Sequence, residues 1–354
     1  MKKRVLVGMS GGVDSSVAAF LLKEAGYEVV GATFMLWAGE TESSKCCSAD
    51  DIADARYVCA QLGVPHYVFN FKDLFREKVV DSFAKEYSIG KTPNPCILCN
   101  RYIKFEAFYH KARELGFDYI ATGHYAGISF NSESGRYELV RAAHPEKDQS
   151  YVLYHITQEQ MACFLLPLGG YPKNEIRRIA EENGLVVARK PDSQDICFVP
   201  DGDYGAFLES YTGTQTQGGF FVDRQGKELG RHKGIGHYTI GQRKGLGISL
   251  GKPAFVYDIS PTSGNVTLTE DEADLFGDTL TIGDVNWVSA SPIAVPMLAQ
   301  VKIRYSHKAA AATVSPLEDG SLHIRFDEPQ RAPTAGQAAV LYDGDRVLAG
   351  GTIE

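Results

Sequence analysis

Two groups of residues combine types and spacing that can do chemistry. The first is Ser10-Gly11-Gly12-Val13-Asp14-Ser15-Ser16, set between an apolar run at 4–9 and a helix expected over 17–24. Paired glycines let backbone N–H groups turn toward an anion, serine hydroxyls add donors, and the helix start adds partial positive charge. This is a phosphate cradle. It lacks the Gly-Lys-Ser/Thr ending of a Walker A loop, so the loop has no lysine of its own for the outer phosphates. The second group is made of thiols. Thr92-Pro93-Asn94-Pro95-Cys96-Ile97-Leu98-Cys99-Asn100 is a proline-stiffened loop feeding a helix, which predicts Cys99 in a first turn, where the helix dipole favours the thiolate. Cys197 stands in Asp192-Ser193-Gln194-Asp195-Ile196-Cys197-Phe198, at the end of the same half of the chain.

The elements that must position these groups alternate. Strands are expected at 4–9, 27–35, 66–71 and 118–122. Between them Ile52, Ala55, Cys59 and Leu62, then Phe105, Phe108, Ala112 and Leu115, recur at helical spacing, and Gly63 and Gly116 stop the two helices. This predicts a doubly wound parallel α/β sheet over 1–200, whose strand carboxyl ends would gather both thiols over the cradle. From 201 the chain changes to glycine-punctuated β. Residues 221–258 hold eight glycines and seven basic residues (224, 227, 231, 233, 243, 244, 252) against three acids. An acidic cluster follows at Glu270, Asp271, Glu272, Asp274 and Asp278. In 299–305, Ala299, Val301, Ile303 and Tyr305 share one strand face while Gln300, Lys302 and Arg304 share the other. Asp343-Gly344 suits a closing hairpin turn. A small central β-rich domain (201–277) and a C-terminal β-barrel (278–354) are the expectation.

Composition bounds the rest. The 354 residues suit two or three domains, and 44% hydrophobic with 23% charged content gives each a core. A net charge of −8 excludes a polybasic binder, so contact with a polyanion must come from local patches such as 221–258. The apolar run after Met1-Lys2-Lys3-Arg4 is too short for an export signal and no stretch is long enough to span a bilayer, which predicts a cytoplasmic protein with no membrane partner. Seven cysteines argue against a disulfide framework: Cys59 and Cys163 read as core, and Cys46-Cys47 as part of a polar surface loop. The nine histidines show no metal-ligand spacing.

The Ser-Gly-Gly-Val-Asp-Ser loop after a first strand resembles the PP-loop of ATP pyrophosphatases, which cleave ATP between the α- and β-phosphates; the resemblance implies that Asp14 helps to hold Mg²⁺. Seven motifs together, at 8–16, 94–105, 122–126, 147–153, 192–198, 238–247 and 302–308, resemble the bacterial tRNA-specific 2-thiouridylase family. That resemblance implies a PP-loop fold and ATP-dependent replacement of the C2 oxygen of a wobble uridine by sulfur. Adenylation would turn that oxygen into a leaving group, and a cysteine persulfide would deliver the sulfur. It also implies ATP contacts from Gly8, Met9, Ser10, Gly11, Gly12, Val13, Asp14, Ser15, Met35 and Gly123, a target-base frame of Asn94, Pro95 and Cys96, and tRNA contacts from Lys147, Asp148, Gln149, Arg304 and Tyr305. Cys197 would carry the persulfide and Cys99 would be the nucleophile, leaving a Cys99–Cys197 disulfide. Partners would be the anticodon loops of lysine, glutamate and glutamine tRNAs and a cysteine desulfurase or sulfur-relay protein. An aspartate is usual in that family where this chain has Cys96. Two routes therefore stay open, a persulfide relay and a [4Fe–4S] cluster on Cys96, Cys99 and Cys197. Other PP-loop thiolating or amide-forming enzymes are the rival class.

Overall fold

The computed structural model describes residues 2–37, 49–192, 196–199, 202–213 and 218–354. Strand β1 (Arg4–Gly8) buries Val5, Leu6 and Val7 completely, as a strand covered on both faces must. Its neighbours are β2 (Glu28–Met35) and β4 (Tyr119–Ala121), with β3 (His66–Asn70) beyond β2. A hairpin, β5 (Ala126–Asn131) and β6 (Arg136–Arg141), precedes β7 (Phe164–Leu165), which completes an all-parallel sheet of order β3-β2-β1-β4-β7. Strand alternation sends Val5 and Val7 into one apolar layer and Leu6 into the other. Helices α1 (Val13–Glu24), α2 (Ala49–Leu62) and Lys173–Glu182 build the first layer, and the helical stretches 72–88 and 95–114 build the second.

The doubly wound expectation holds, with each expected strand one or two residues longer than the strand found. Helix α1 differs more. It begins at Val13 rather than at 17, so Asp14, Ser15 and Ser16 are helical and the cradle is only four residues of loop.

A small sheet of order β10-β11-β8-β9 follows, from β8 (Phe220–Val222), β9 (Glu228–Arg231), β10 (Phe255–Ile259) and β11 (Val266–Thr269). The acidic cluster that follows is folded onto the basic stretch: Arg224 pairs with Asp274 at 2.5 Å and Lys252 with Glu270 at 3.0 Å. The last part is a barrel of β12 (Phe276–Trp287), β13 (Met297–Lys302), β14 (Ala310–Pro316), β15 (Leu322–Arg331), β16 (Ala338–Asp343) and β17 (Arg346–Ile353), closed by pairing of β12 with β17. The β5–β6 hairpin of the α/β layer adds to it through Val140 and Arg346, so the two parts share one continuous sheet.

Two local expectations are corrected. The closing hairpin turns on Gly344-Asp345, because Asp343 and Arg346 are the last pair and Gly344 supplies the positive φ of 59°. Strand β13 ends at Lys302, so although Val301 and Ile303 are buried as expected, Tyr305 lies past the strand and is 45% exposed. Among the described residues no helix is long and apolar enough to cross a membrane.

Candidate active site

The cradle is tied by its own side chains. Ser15 Oγ accepts the Ser10 N–H at 3.1 Å and donates to the Gly12 carbonyl at 3.2 Å, while Ser16 Oγ donates to the same carbonyl at 2.8 Å. Gly11 takes φ +72°, and a Cβ there would fall 2.4 Å from the Asp51 carbonyl oxygen. Gly12 caps α1 without any side-chain hydrogen bond, leaving the helix start to an external acceptor. Loop N–H groups and an uncapped helix N-terminus form a donor set suited to phosphate, while the Ser15 and Ser16 hydroxyls hold the turn in shape. The loop is anchored from behind, where Met9 N–H donates to the Ala32 carbonyl at 2.7 Å and the Thr33 hydroxyl to the Met9 carbonyl at 2.9 Å. Met35 ends β2 on the same carboxyl edge as this loop. Gly123 lies directly on it, since a Cβ there would meet Ser15 N at 2.7 Å.

The thiol helix starts earlier than expected. Asn94 is its N-cap, accepting the Cys96 N–H at 3.1 Å, and Pro95 is its first residue. Cys96 therefore sits in the first turn and Cys99 just beyond it, outside the reach where the helix dipole is strongest. At Cys99 the helix widens into a π-helical stretch, Cys99–Ala107. In an α-helix residues five apart point to different sides, whereas the wider turn brings Lys104 back toward the side of Cys99. Such stretches recur at functional sites. Cys96 is open to solvent yet ringed by protein atoms, as on the wall of a concavity. Those surroundings, and next Cys197, push its thiol up to about 11, with Lys104 opposing. Cys96 and Cys197 are thus within electrostatic range of each other, and Cys99 is one helical turn from Cys96.

Cys197 is fixed by the residue after it. Phe198, 2% exposed, stacks edge-on against Phe75 (5.6 Å) and Phe83 (5.4 Å) and packs on Phe207 (5.3 Å). Losing that ring would cost about 3–5 kcal/mol. Cys99 and Cys197 both pack half-buried against this same core.

The bridge between cradle and thiols is made by His124 and Lys104. His124, next to Gly123, lies 2.7 Å from Thr122 Oγ1 through Nδ1 and 3.2 Å from Lys104 Nζ through Nε2. An ammonium only donates, so Nε2 accepts and the ring proton is on Nδ1. Burial first, then Lys104, holds this histidine well below its ordinary value, so it is neutral at pH 7. Gly123 touches the phosphate loop, His124 bonds Lys104, and Lys104 lies within electrostatic range of Cys96, so these groups line one path.

Other expected residues divide. Tyr305, beyond the barrel strand, is close enough to Cys96 to feel its charge, and Lys302 lies 5.4 Å over its ring. Lys147 is 36% exposed and pairs with Asp192 at 3.0 Å. Asp148 and Arg304 are committed inward. The Asp148 carboxylate accepts from Ala142 N–H, Ser150 N–H and the Ser150 hydroxyl at 2.9–3.1 Å. Arg304 donates to the Ile240 and Ala332 carbonyls and to Thr334 Oγ1, locking the central sheet to the barrel, so Lys302 and Arg304 do not form the expected strand-face patch. Gln149 Oε1 accepts the Tyr125 N–H at 2.9 Å. Asp14, expected at a Mg²⁺, is held by Lys173 and by the Tyr125 hydroxyl. Among the described residues no three His, Cys, Asp or Glu side chains converge as metal ligands, so Cys96, Cys99 and Cys197 do not assemble the ligand set of a cluster here. Cys59 is core, its thiol pushed up to about 11 by burial. Cys46-Cys47 lie outside the described residues.

Comparison with known proteins matches three family profiles along the chain: a tRNA methyl transferase HUP domain at 3–201, a tRNA methyl transferase PRC-barrel domain at 205–270 and an aminomethyltransferase β-barrel domain at 277–353. The chain is 51% identical over 357 residues to the tRNA-specific 2-thiouridylase MnmA of Clostridioides difficile, covering 100% of this chain and 99% of that protein. It is 51% identical to the protein of the same name from Acetivibrio thermocellus (100% and 99% covered) and 50% identical to that from Clostridium botulinum strain Alaska E43 (100% and 98%). Identity of this degree from end to end, in a chain whose cradle and thiols are joined by one path, makes it a member of the tRNA-specific 2-thiouridylase family.

Proposed function

We infer that the chain is an ATP-dependent tRNA-uridine 2-sulfurtransferase acting on the wobble position of lysine, glutamate and glutamine tRNAs. The observation that carries this reading is the path from the phosphate loop through Gly123, His124 and Lys104 to Cys96. It lets one bound base face an adenylating site and a sulfur-delivering site at once. The profile names speak of methyl transfer and the relatives' names of thiolation; a phosphate cradle beside grouped thiols favours the second.

In this reading the cradle binds the ATP phosphates, and the uracil O2 attacks the α-phosphorus as pyrophosphate leaves. Mg²⁺ would supply charge neutralisation there, with Asp14 its ligand once Lys173 yields. The terminal sulfur of a Cys197 persulfide then attacks C2 and AMP departs with the former O2. Cys99 attacks Cys197 Sγ, the persulfide S–S bond breaks, the thiolated base is released and a Cys99–Cys197 disulfide remains, which an external thiol reduces. The unpaired wobble base is splayed toward Tyr305 and the Asn94–Cys96 turn. The Lys104 ammonium faces the charge that develops between phosphate and thiol, and neutral His124 orients it.

The test is thionucleoside analysis of bulk tRNA from cells carrying the intact gene, Cys99→Ser, Cys197→Ser or Cys96→Asp. 2-Thiouridine derivatives are expected to vanish in the first two and persist in the third. Their loss in Cys96→Asp would overturn the relay, and their presence in Cys197→Ser would remove Cys197 from the chemistry.

A further inference from the structure

Five charged side chains join three places that the motifs treat separately. The Lys173 ammonium, 13% exposed, lies 2.7 and 2.8 Å from the two oxygens of Asp14 and 2.8 Å from Asp192 Oδ1. Asp14 is in the first turn of α1, against the cradle. Asp192 stands five residues before Cys197, its Oδ2 meeting Lys147 Nζ at 3.0 Å and its Oδ1 meeting Arg177 Nη2 at 2.8 Å. Arg177 is fixed by the Ala188 and Lys190 carbonyls at 3.0 and 3.1 Å. Lys147, 36% exposed, is the member best able to move.

We propose that Lys173 is a positioning residue that couples the two substrate sites: it clamps the phosphate loop to the root of the Cys197 segment, and tRNA shifts the clamp by drawing Lys147 off Asp192. This rests on the reading of the cradle as the ATP site and of Lys147 as a tRNA contact. The charge count sets the direction. Asp192 is shared by three cations, whereas Asp14 has one cation and a hydroxyl. A tRNA phosphate that takes Lys147 leaves Asp192 one cation short, and Asp192 then holds Lys173 more strongly. Asp14 gives up part of its pair and is exposed to an incoming Mg²⁺ with its nucleotide. So tRNA tightens Mg·ATP binding, and by reciprocity Mg·ATP tightens tRNA binding. Lys173 is little exposed, so solvent and salt screen this exchange only weakly.

The experiment is calorimetric binding of Mg²⁺ with α,β-methylene-ATP to the full chain, alone and with saturating unmodified lysine tRNA, alongside a thiolation assay. Wild type is expected to bind the analogue about tenfold tighter with tRNA, within the usual span of coupling. In Lys173→Gln the ratio falls to about one, and in Lys173→Arg it partly returns. Lys147→Gln, an exposed change that spares folding, is expected to bind the analogue without tRNA nearly as tightly as wild type does with it. A purely structural lysine would not produce that gain. A wild-type ratio near one, an unchanged ratio in Lys173→Gln, or no gain in Lys147→Gln overturns the coupling while thiolation by the wild type leaves the functional reading standing. A wild type that binds the analogue but thiolates no tRNA overturns that reading and the coupling with it.

Discussion

Residues 10–16 take their shape from one another, whereas residues 94–107 take theirs from distant parts of the chain. In the cradle, Ser10, Gly12, Ser15 and Ser16 bond among themselves. In the thiol helix, Asn100 donates to the Val152 carbonyl at 2.9 Å, Gln337 reaches back to the Thr92 carbonyl at 2.6 Å, and Arg101 pairs with Asp284 of β12. Gly336, at φ +87°, lets the barrel loop pack over Thr92, where a Cβ would fall 3.1 Å from the Thr92 nitrogen. The difference teaches where each function is encoded. Phosphate binding is a local property that a motif can carry, and thiol geometry is a property of the α/β layer and barrel together.

The strongest way to break the comparison is from the side of the local element. Gly123→Ala places a Cβ 2.7 Å from Ser15 N and 2.8 Å from the Asp14 carbonyl carbon, against backbone that has nowhere to move. Overpacking of this kind costs about 1–3 kcal/mol, and where the turn shifts off the cradle to relieve it, ATP affinity is expected to fall by on the order of tenfold to a hundredfold. Any strain the turn keeps would show instead as a lowered thermal transition. An unchanged nucleotide Kd would show that the turn does not lie on the binding face.

The second test works from the long-range side. His155, 8% exposed, sits beside Arg101 and Asp284 where the thiol helix meets the barrel, and burial first, then Arg101, lowers it to about 4 despite Asp284. The unfolded chain binds that proton near pH 6.5 and the native chain only near 4. Stability from this group is therefore full above about pH 6.5 and is lost as pH falls toward 4, by up to ~3 kcal/mol. Urea unfolding from pH 7 to 4.5 should show this slope in wild type and a shallower one in His155→Gln. Equal slopes would remove His155 as its source.

A smaller effect is expected from the ion pair itself. Asp284 is 54% exposed and adopts φ 47°, which asparagine tolerates, so Asp284→Asn should cost only about 0.2–1 kcal/mol of stability. If the pair positions the thiol helix, the rate of sulfur transfer falls by roughly threefold to tenfold while KM for ATP stays put. A rise in KM alone would place the pair with the nucleotide instead.

These contrasts follow what the sequence made legible. The cradle, the parallel strands and the barrel were readable because glycine pairs, continuous apolar runs and alternation are local signals. Lys104 stands inside the 94–105 motif, yet only the π-helical turn and His124 give it a place. Lys173 meets Asp14 across well over a hundred residues and ties it to Asp192, and an isolated lysine after Pro172 carries no mark of that. The start of the thiol helix was misjudged because Asn94 and Pro95 were read as loop, although a capping asparagine followed by proline is a helix opening. Arg304 and Asp148 look like surface charges in sequence because nothing in their motifs shows that they bond inward, Arg304 to the Ile240 and Ala332 carbonyls and Asp148 to the Ala142 N–H.

The smallest expected effect separates basic residues that read alike. Arg224 and Lys252 are paired with Asp274 and Glu270, while Arg243 and Lys244 are exposed in the glycine-rich turn, Arg243 lying 6.0 Å over the Phe255 ring. A cation already neutralised by a carboxylate releases little counterion from RNA, and an exposed one releases close to a full charge's worth. Arg243→Ala should therefore lower the slope of log K against log salt for tRNA by nearly one, with ATP affinity intact, and Arg224→Ala should lower it by much less. Equal slopes in the two variants would mean that the acidic cluster swings away when RNA arrives, and the whole stretch, rather than its glycine-rich turn, would then be the contact surface.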